Sequence, residues 1–139
     1  MKRNLRYKKV LELNAEKALN AVSDFEKYID FVPGCTAAAS ITQDSHFETG
    51  RLDFNFLGKE YFIESRNEIT MNSIKIEQIK GPFIFFNGEW SVKEVEDDLC
   101  EIAFYAEFEL PFLLNAITPR SLIESFSSNV IESFITKIQ

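Results

Sequence analysis

The stretch Cys100-Glu101-Ile102-Ala103-Phe104-Tyr105-Ala106-Glu107-Phe108-Glu109-Leu110, followed shortly by Thr118-Pro119, decides the fold. In it Cys100, Ile102, Phe104, Ala106, Phe108 and Leu110 alternate with Glu101, Tyr105, Glu107 and Glu109. A period of two with one apolar side is a strand wetted on one face. Thr118-Pro119 is a helix start, a cap followed by proline at the first helical position, where the missing N–H costs nothing. Beyond it Leu122, Phe126, Val130, Phe134 and Ile138 recur every four residues with Ile123, Ile131 and Ile135 beside them, which predicts a long amphipathic helix to the chain end. The last strand therefore needs a cover, and the last helix needs something to cover.

Working back towards the N-terminus, the same alternation recurs between turn residues. Cys35 to Ile41 is a strand of small residues; Leu52, Phe54 and Phe56 oppose Arg51, Asp53 and Asn55. After Leu57-Gly58-Lys59, Tyr61, Ile63, Ser65, Asn67 and Ile69 oppose Phe62, Glu64, Arg66 and Glu68. Strands follow around Ile74, Ile76 and Gln78 and around Phe86, Gly88, Trp90 and Val92, and Glu96-Asp97-Asp98 turns into the last strand. Ahead of these, Leu5 to Leu13 reads as a first strand, Asn14 caps a helix over Ala15 to Val22, and Ser23 or Asp24 caps another from Phe25 to Phe31, ended by Pro33-Gly34. The order is strand, two short helices, six strands, long helix. The predicted fold is α+β: a curved antiparallel sheet of about seven strands around a long C-terminal helix, the helix-grip architecture, in one domain spanning 1–139.

Composition restricts the function. At 139 residues the chain has room for one domain, and 45% hydrophobic with 27% charged residues is globular. No apolar run is long enough for a membrane helix. Two cysteines without a signal-peptide pattern predict a reducing, cytoplasmic setting and cannot form a structural zinc site alone, and the single histidine, His46, lies in a turn-like Asp44-Ser45-His46 stretch. No metal site is expected. The net charge is −7, but residues 1–9 hold Lys2, Arg3, Arg6, Lys8 and Lys9 and no acid, so the rest carries ten cations against 22 acids. Such a body repels phosphate backbones, which argues against DNA as a partner. The N-terminal cations are either the charged side of an edge strand or a patch for an anionic membrane or RNA. Fourteen phenylalanines against one tryptophan call for a bulky apolar interior.

Three motifs carry more than alternation requires: Tyr28-Ile29-Asp30-Phe31-Val32-Pro33-Gly34-Cys35; Gly81-Pro82-Phe83 with Asn87-Gly88-Glu89-Trp90; and Cys100-Glu101-Ile102-Ala103-Phe104 leading to Phe108-Glu109-Leu110. Here, and at Arg66-Asn67, the sequence resembles the coenzyme Q-binding protein family of the START-like, polyketide cyclase-like superfamily, in particular its branch named after the ribosome association toxin RatA. The resemblance covers nearly the whole chain. It implies binding of a hydrophobic small molecule, ubiquinone or a related isoprenoid lipid, by a non-catalytic carrier or chaperone supporting respiration, with no required cofactor. The branch name implies an alternative, a translation regulator that binds the large ribosomal subunit and blocks subunit joining. The cyclase label implies ring-closing chemistry in relatives, for which this chain offers no nucleophile elbow, phosphate loop or paired acid and base.

A sheet bent around a helix leaves a gap. The candidate ligand-binding residues are Phe54, Phe56, Tyr61, Asn67, Trp90, Phe104, Phe108, Phe126, Val130 and Phe134, with Ser65 and Gln78 as further polar groups on the inner side. Phe31, Val32, Pro33, Gly34 and Cys35 are the candidate rim or gate, each with the plain alternative of a helix end turning into a strand. Glu48, Glu64 and Arg66 are assigned to the wet face. No catalytic residue is assigned.

Overall fold

The computed structural model describes residues 2–30, 32 and 34–138. Strand β1 (Lys2–Leu11) leads through Asn14, whose side-chain oxygen accepts from the backbone N–H groups of Glu16 and Lys17, into α1 (Ala15–Ser23). That is the expected cap, satisfying donors that the first helical turn leaves unpaired. The second short helix is a 3₁₀ helix over Phe25–Asp30. Ser23 does not cap it, because its hydroxyl donates back to the Leu19 carbonyl. Six strands follow: β2 (Cys35–Gln43), β3 (Phe47–Phe56), β4 (Lys59–Ile69), β5 (Ser73–Lys80), β6 (Phe85–Glu96) and β7 (Leu99–Glu109). A short helix that periodicity does not reveal, α2 (Phe112–Ile117), precedes α3 (Arg120–Ile138).

The seven strands form one antiparallel sheet in the order β1-β7-β6-β5-β4-β3-β2, so every neighbour except β1 is joined by a hairpin. The hairpin turns follow the local chemistry. Leu57 and Gly58 both take positive φ, 54° and 77°, between β3 and β4, the twist that matches right-handed strands. Asp44 ties the β2–β3 loop by accepting from the N–H groups of His46 and Phe47. At Gly50 a Cβ would lie 2.4 Å from the Phe25 ring, so glycine lets the 3₁₀ helix seat directly on β3.

The packed core occupies one end of the grip. Ile131, Phe134 and Ile135 of α3 are buried against Leu11, Val22, Trp90, Val92 and Ile102, while Leu122, Ile123, Phe126 and Val130, nearer the start of α3, are only half-buried. On the outer face, arginines cover aromatic rings: Arg51 over Phe62 at 4.2 Å, Arg66 over Phe47 at 4.1 Å, Arg6 over Tyr105 at 4.7 Å. Not all of the phenylalanine is therefore interior.

β1 is an edge strand, and its cations are engaged by the chain itself. Lys2 pairs with Glu107 at 3.1 Å, Lys8 with Glu101 at 3.7 Å and Lys9 with Glu132 at 3.6 Å. Arg3 donates to Asn115 Oδ1 and to the carbonyls of Asn115 and Thr118. The basic N-terminus is thus the charged side of an edge strand, with its lysines still solvent-exposed in these pairs.

Candidate functional site

Between the curved sheet and the first half of α3 lies a cavity of about 260 Å³. Its closed end is formed by buried Phe25 and Tyr28 from the 3₁₀ helix, Trp90 from β6 and Ile131 from α3. Its open end is formed by half-buried Phe54, Phe56, Tyr61, Phe83 and Phe126. The rings touch one another around the wall: Phe54 stacks on Tyr61 at 5.8 Å, the Phe56 edge meets Phe126 at 6.0 Å, and Phe83 meets Phe108 at 5.5 Å. Among the described residues that line it, none is charged.

The few polar groups on the wall are almost all committed. Tyr28 donates to the Val22 carbonyl at 2.6 Å and accepts from the Trp90 indole, and burial pushes its pKa far up, so it stays a neutral phenol. Ser65 donates to Asn67 Oδ1, Thr118 to the Leu114 carbonyl and Ser127 to the Ile123 carbonyl. The hydroxyl of Tyr61 is the exception: no partner is found for it among the described residues, and it stands at the open end. A polar atom of a ligand therefore has one side chain ready to meet it, at the mouth.

Of the sequence-predicted residues, Phe54, Phe56, Tyr61, Trp90, Phe104, Phe108, Phe126 and Val130 come together on this wall. Two do not. Asn67 shares the inner side of β4 but lies beyond the closed end, buried, holding the Ser65 hydroxyl. Phe134 lies two helical turns past Phe126 and is packed on Trp90 at 5.2 Å, in the core. Gln78 is also occupied elsewhere, bracing the β5–β6 loop through both the N–H and the carbonyl of Phe83. Glu48, assigned to the wet face, is instead buried on the inner face beside Asn67, its register partner on β4, and accepts from Ser40 at 3.1 Å. The bulge between Ser40 and Thr42 changes the register beside it.

The structure describes three of the five rim candidates. Val32 lines the cavity; Phe31 and Pro33 lie outside the described residues. Gly34 is structural: its φ is +80°, a Cβ there would sit 2.5 Å from the Asn55 carbonyl oxygen, and its own carbonyl accepts from Asn55 N–H. Cys35 is turned to the Ala37 carbonyl, and burial raises its pKa, as it does for Cys100, so neither thiol is poised as a thiolate. The sequence reading missed Phe25, Tyr28 and Leu114, which reach the wall from six-residue helices, Thr118 at the end of α2, Phe83 in the β5–β6 loop, and Phe86, whose place in the β6 alternation was visible.

A ring-lined cavity under a helix, with no charged group among the described residues that line it, is set in a fold of the helix-grip type. The sequence profile of the family described as polyketide cyclase/dehydrase and lipid transport matches residues 11–135, and the chain belongs to that family. The ribosome association toxin RatA of Escherichia coli strain K12 is 26% identical over 125 residues, covering 89% of this chain and 79% of RatA. Among solved structures, the Zhui aromatase/cyclase from Streptomyces sp. R1128 superposes with a TM-score of 0.86 at 14% identity, covering 99% of this chain and 94% of that one. A START superfamily protein from Mycobacterium smegmatis gives 0.75 at 16% identity, covering 97% and 92%. The expected family and fold are thus both found.

Proposed function

We propose that this protein is a non-catalytic carrier of an elongated apolar small molecule, with ubiquinone or a related isoprenoid lipid as the first candidate. The observation that carries this reading is the cavity: about 260 Å³ with an uncharged wall, on which every polar side chain except Tyr61 is already hydrogen-bonded within the protein. An apolar ligand that fills this space takes its ring-lined wall out of contact with water, which is the favourable term for binding. The orientation follows from Tyr61: the tail enters towards Trp90, and a carbonyl of the head accepts from the phenol at the mouth. The absence of a charged group on the described wall supports carriage rather than acid–base chemistry.

A built-in reporter tests it. Trp90 is the only tryptophan and lines the cavity, so a short-tailed ubiquinone should quench its fluorescence saturably, with a stoichiometry of one. Quenching that rises linearly without saturation, as for collision in solution, would refute the reading.

The second reading is large-subunit association, favoured by the 26% identity to the ribosome association toxin RatA over 89% of the chain. Against contact through RNA stand the engaged β1 cations and the net charge of −7. Co-sedimentation with isolated large subunits, persisting as salt is raised, would support a protein-to-protein version of it.

A further inference from the structure

Three segments surround the open end of the cavity, and each turns apolar side chains outward. Leu57 in the β3–β4 turn is 54% exposed, Ile84 in the β5–β6 loop 60%, and Phe112, Leu113 and Ile117 of α2 are 82%, 78% and 65% exposed. Their sequence neighbours Phe56, Phe83 and Leu114 line the cavity, so this apolar ring lies around its mouth. The parts are held together: Ile84 N–H donates to the Glu109 carbonyl next to the start of α2, and Arg3 fastens the other end of α2 through Asn115 and Thr118. The outward face of α2 is therefore fixed in place. Exposed apolar groups so grouped mark an interaction surface.

Charge identifies the partner. Residues 79–88 and 110–123 contain none of the chain's 22 carboxylates, although the body as a whole is strongly acidic. Each segment brings an exposed cation to the ring: Lys59 beside Leu57, Lys80 ahead of Ile84, and Arg120, shared with Glu124, after Ile117. Two of the three segments carry no acid within them, while Glu60, Glu109 and Glu124 flank them; Glu60 and Glu109 alternate with the inward-facing Tyr61 and Phe108, so the cations frame the apolar side chains on an otherwise acidic protein, which suits a bilayer with anionic head groups. We propose that the protein docks on an anionic membrane through this mouth ring, with α2 inserted, so that the cavity opens onto the lipid. The inference deepens the carrier reading by giving the ligand a dry route in and out. It also moves the membrane contact away from the β1 cations.

The test uses vesicles of phosphatidylcholine with and without phosphatidylglycerol, and the full chain. The parent should bind the anionic vesicles and bind neutral ones less. Phe112→Ser with Leu113→Ser, at positions that bury almost nothing, should weaken binding by at least about tenfold with an unchanged thermal midpoint. Lys80→Glu with Arg120→Glu should remove the preference for anionic lipid, and Lys2→Gln with Lys8→Gln should leave binding as it was. The proposal is overturned if the parent ignores both vesicles, if the α2 variant binds normally, or if the β1 variant is the one that loses binding. A parent that is dimeric in solution and becomes monomeric with the α2 substitutions would also overturn it, since a second copy would then cover the ring. Vesicle binding is read separately from loading: a variant with a filled cavity, Val130→Trp, should still dock, so docking can hold where the carrier reading fails.

Discussion

Replacing Val130 with tryptophan asks whether the space under α3 is a binding cavity or loose packing. Val130 lines the void about one helical turn from Phe126, and its side chain is half-buried. Side chains fill space at crystal-like density, so an indole in place of an isopropyl group adds roughly 90 Å³, about a third of the 260 Å³ present. At about 24 cal/mol per Å³ the filled volume is worth about 2 kcal/mol to a ligand, and at 1.4 kcal/mol per decade that is roughly a 30-fold weaker Kd. Stability should change little, because the added rings enter space that exists. Ala106→Trp is the control: Ala106 is fully buried and does not line the cavity, so the same enlargement should cost about 1–3 kcal/mol or more by overpacking. The assay is denaturant unfolding of both variants beside Trp90-independent ligand titration, by calorimetry, because the new indole alters fluorescence. If Val130→Trp destabilises as much as Ala106→Trp, or binds ligand as tightly as the parent, the cavity assignment is wrong.

Tyr61→Phe should weaken a quinone by about 0.5–1.5 kcal/mol, the net value of one hydrogen bond, and leave a plain alkane of the same length unaffected; equal loss for both probes would remove the phenol from head recognition. Gly34→Val should lower stability by more than about 1–2 kcal/mol, from the positive φ and the Asn55 carbonyl at 2.5 Å, with ligand exchange unchanged in native conditions; slowed exchange with normal stability would restore a gate there. Stability should also fall on acidification. Hydrogen bonds hold the carboxyls of Asp44 (from His46 and Phe47 N–H), Glu107 (from Lys2 and Tyr105) and Glu132 (from Tyr7) below their ordinary values. The folded state therefore binds those protons more weakly than the unfolded chain; the stabilisation is complete above the ordinary carboxylate range near pH 4 and is lost as pH falls through the lowered values. A thermal midpoint that rises on acidification through that window would contradict the assignment.

The elements legible in the sequence were those long enough to show a period. β7 and α3 repeat their apolar residues often enough to fix both type and facing side, and Asn14 and Leu57-Gly58 announce themselves by chemistry that few other residues supply. The helix at Phe25 was legible from its cap and its Pro-Gly end, and α2 was not, but with six residues each neither shows which side faces the groove, which is why Phe25, Tyr28 and Leu114 were missed as wall residues. Alternation says which side of β4 a residue faces but not how far along the groove it lies. Tyr61, Ser65 and Asn67 share that side, and only the depth of the closed end separates Asn67 from the others. Helical period likewise groups Phe134 with Phe126 although the cavity ends between them. The N-terminal cations looked unopposed because their partners, Glu101, Glu107 and Glu132, are distant in sequence and become neighbours through the β1–β7 pairing and the α3 docking.

The central claim is that an apolar ligand occupies the space under α3, and native mass spectrometry of the protein purified without detergent tests it most directly. The account predicts a single adduct of lipid or quinone mass, one per chain, that disappears in Val130→Trp while the variant keeps the parent's folded charge-state distribution. A parent that carries no adduct and takes up none when offered a short-tailed ubiquinone would contradict it.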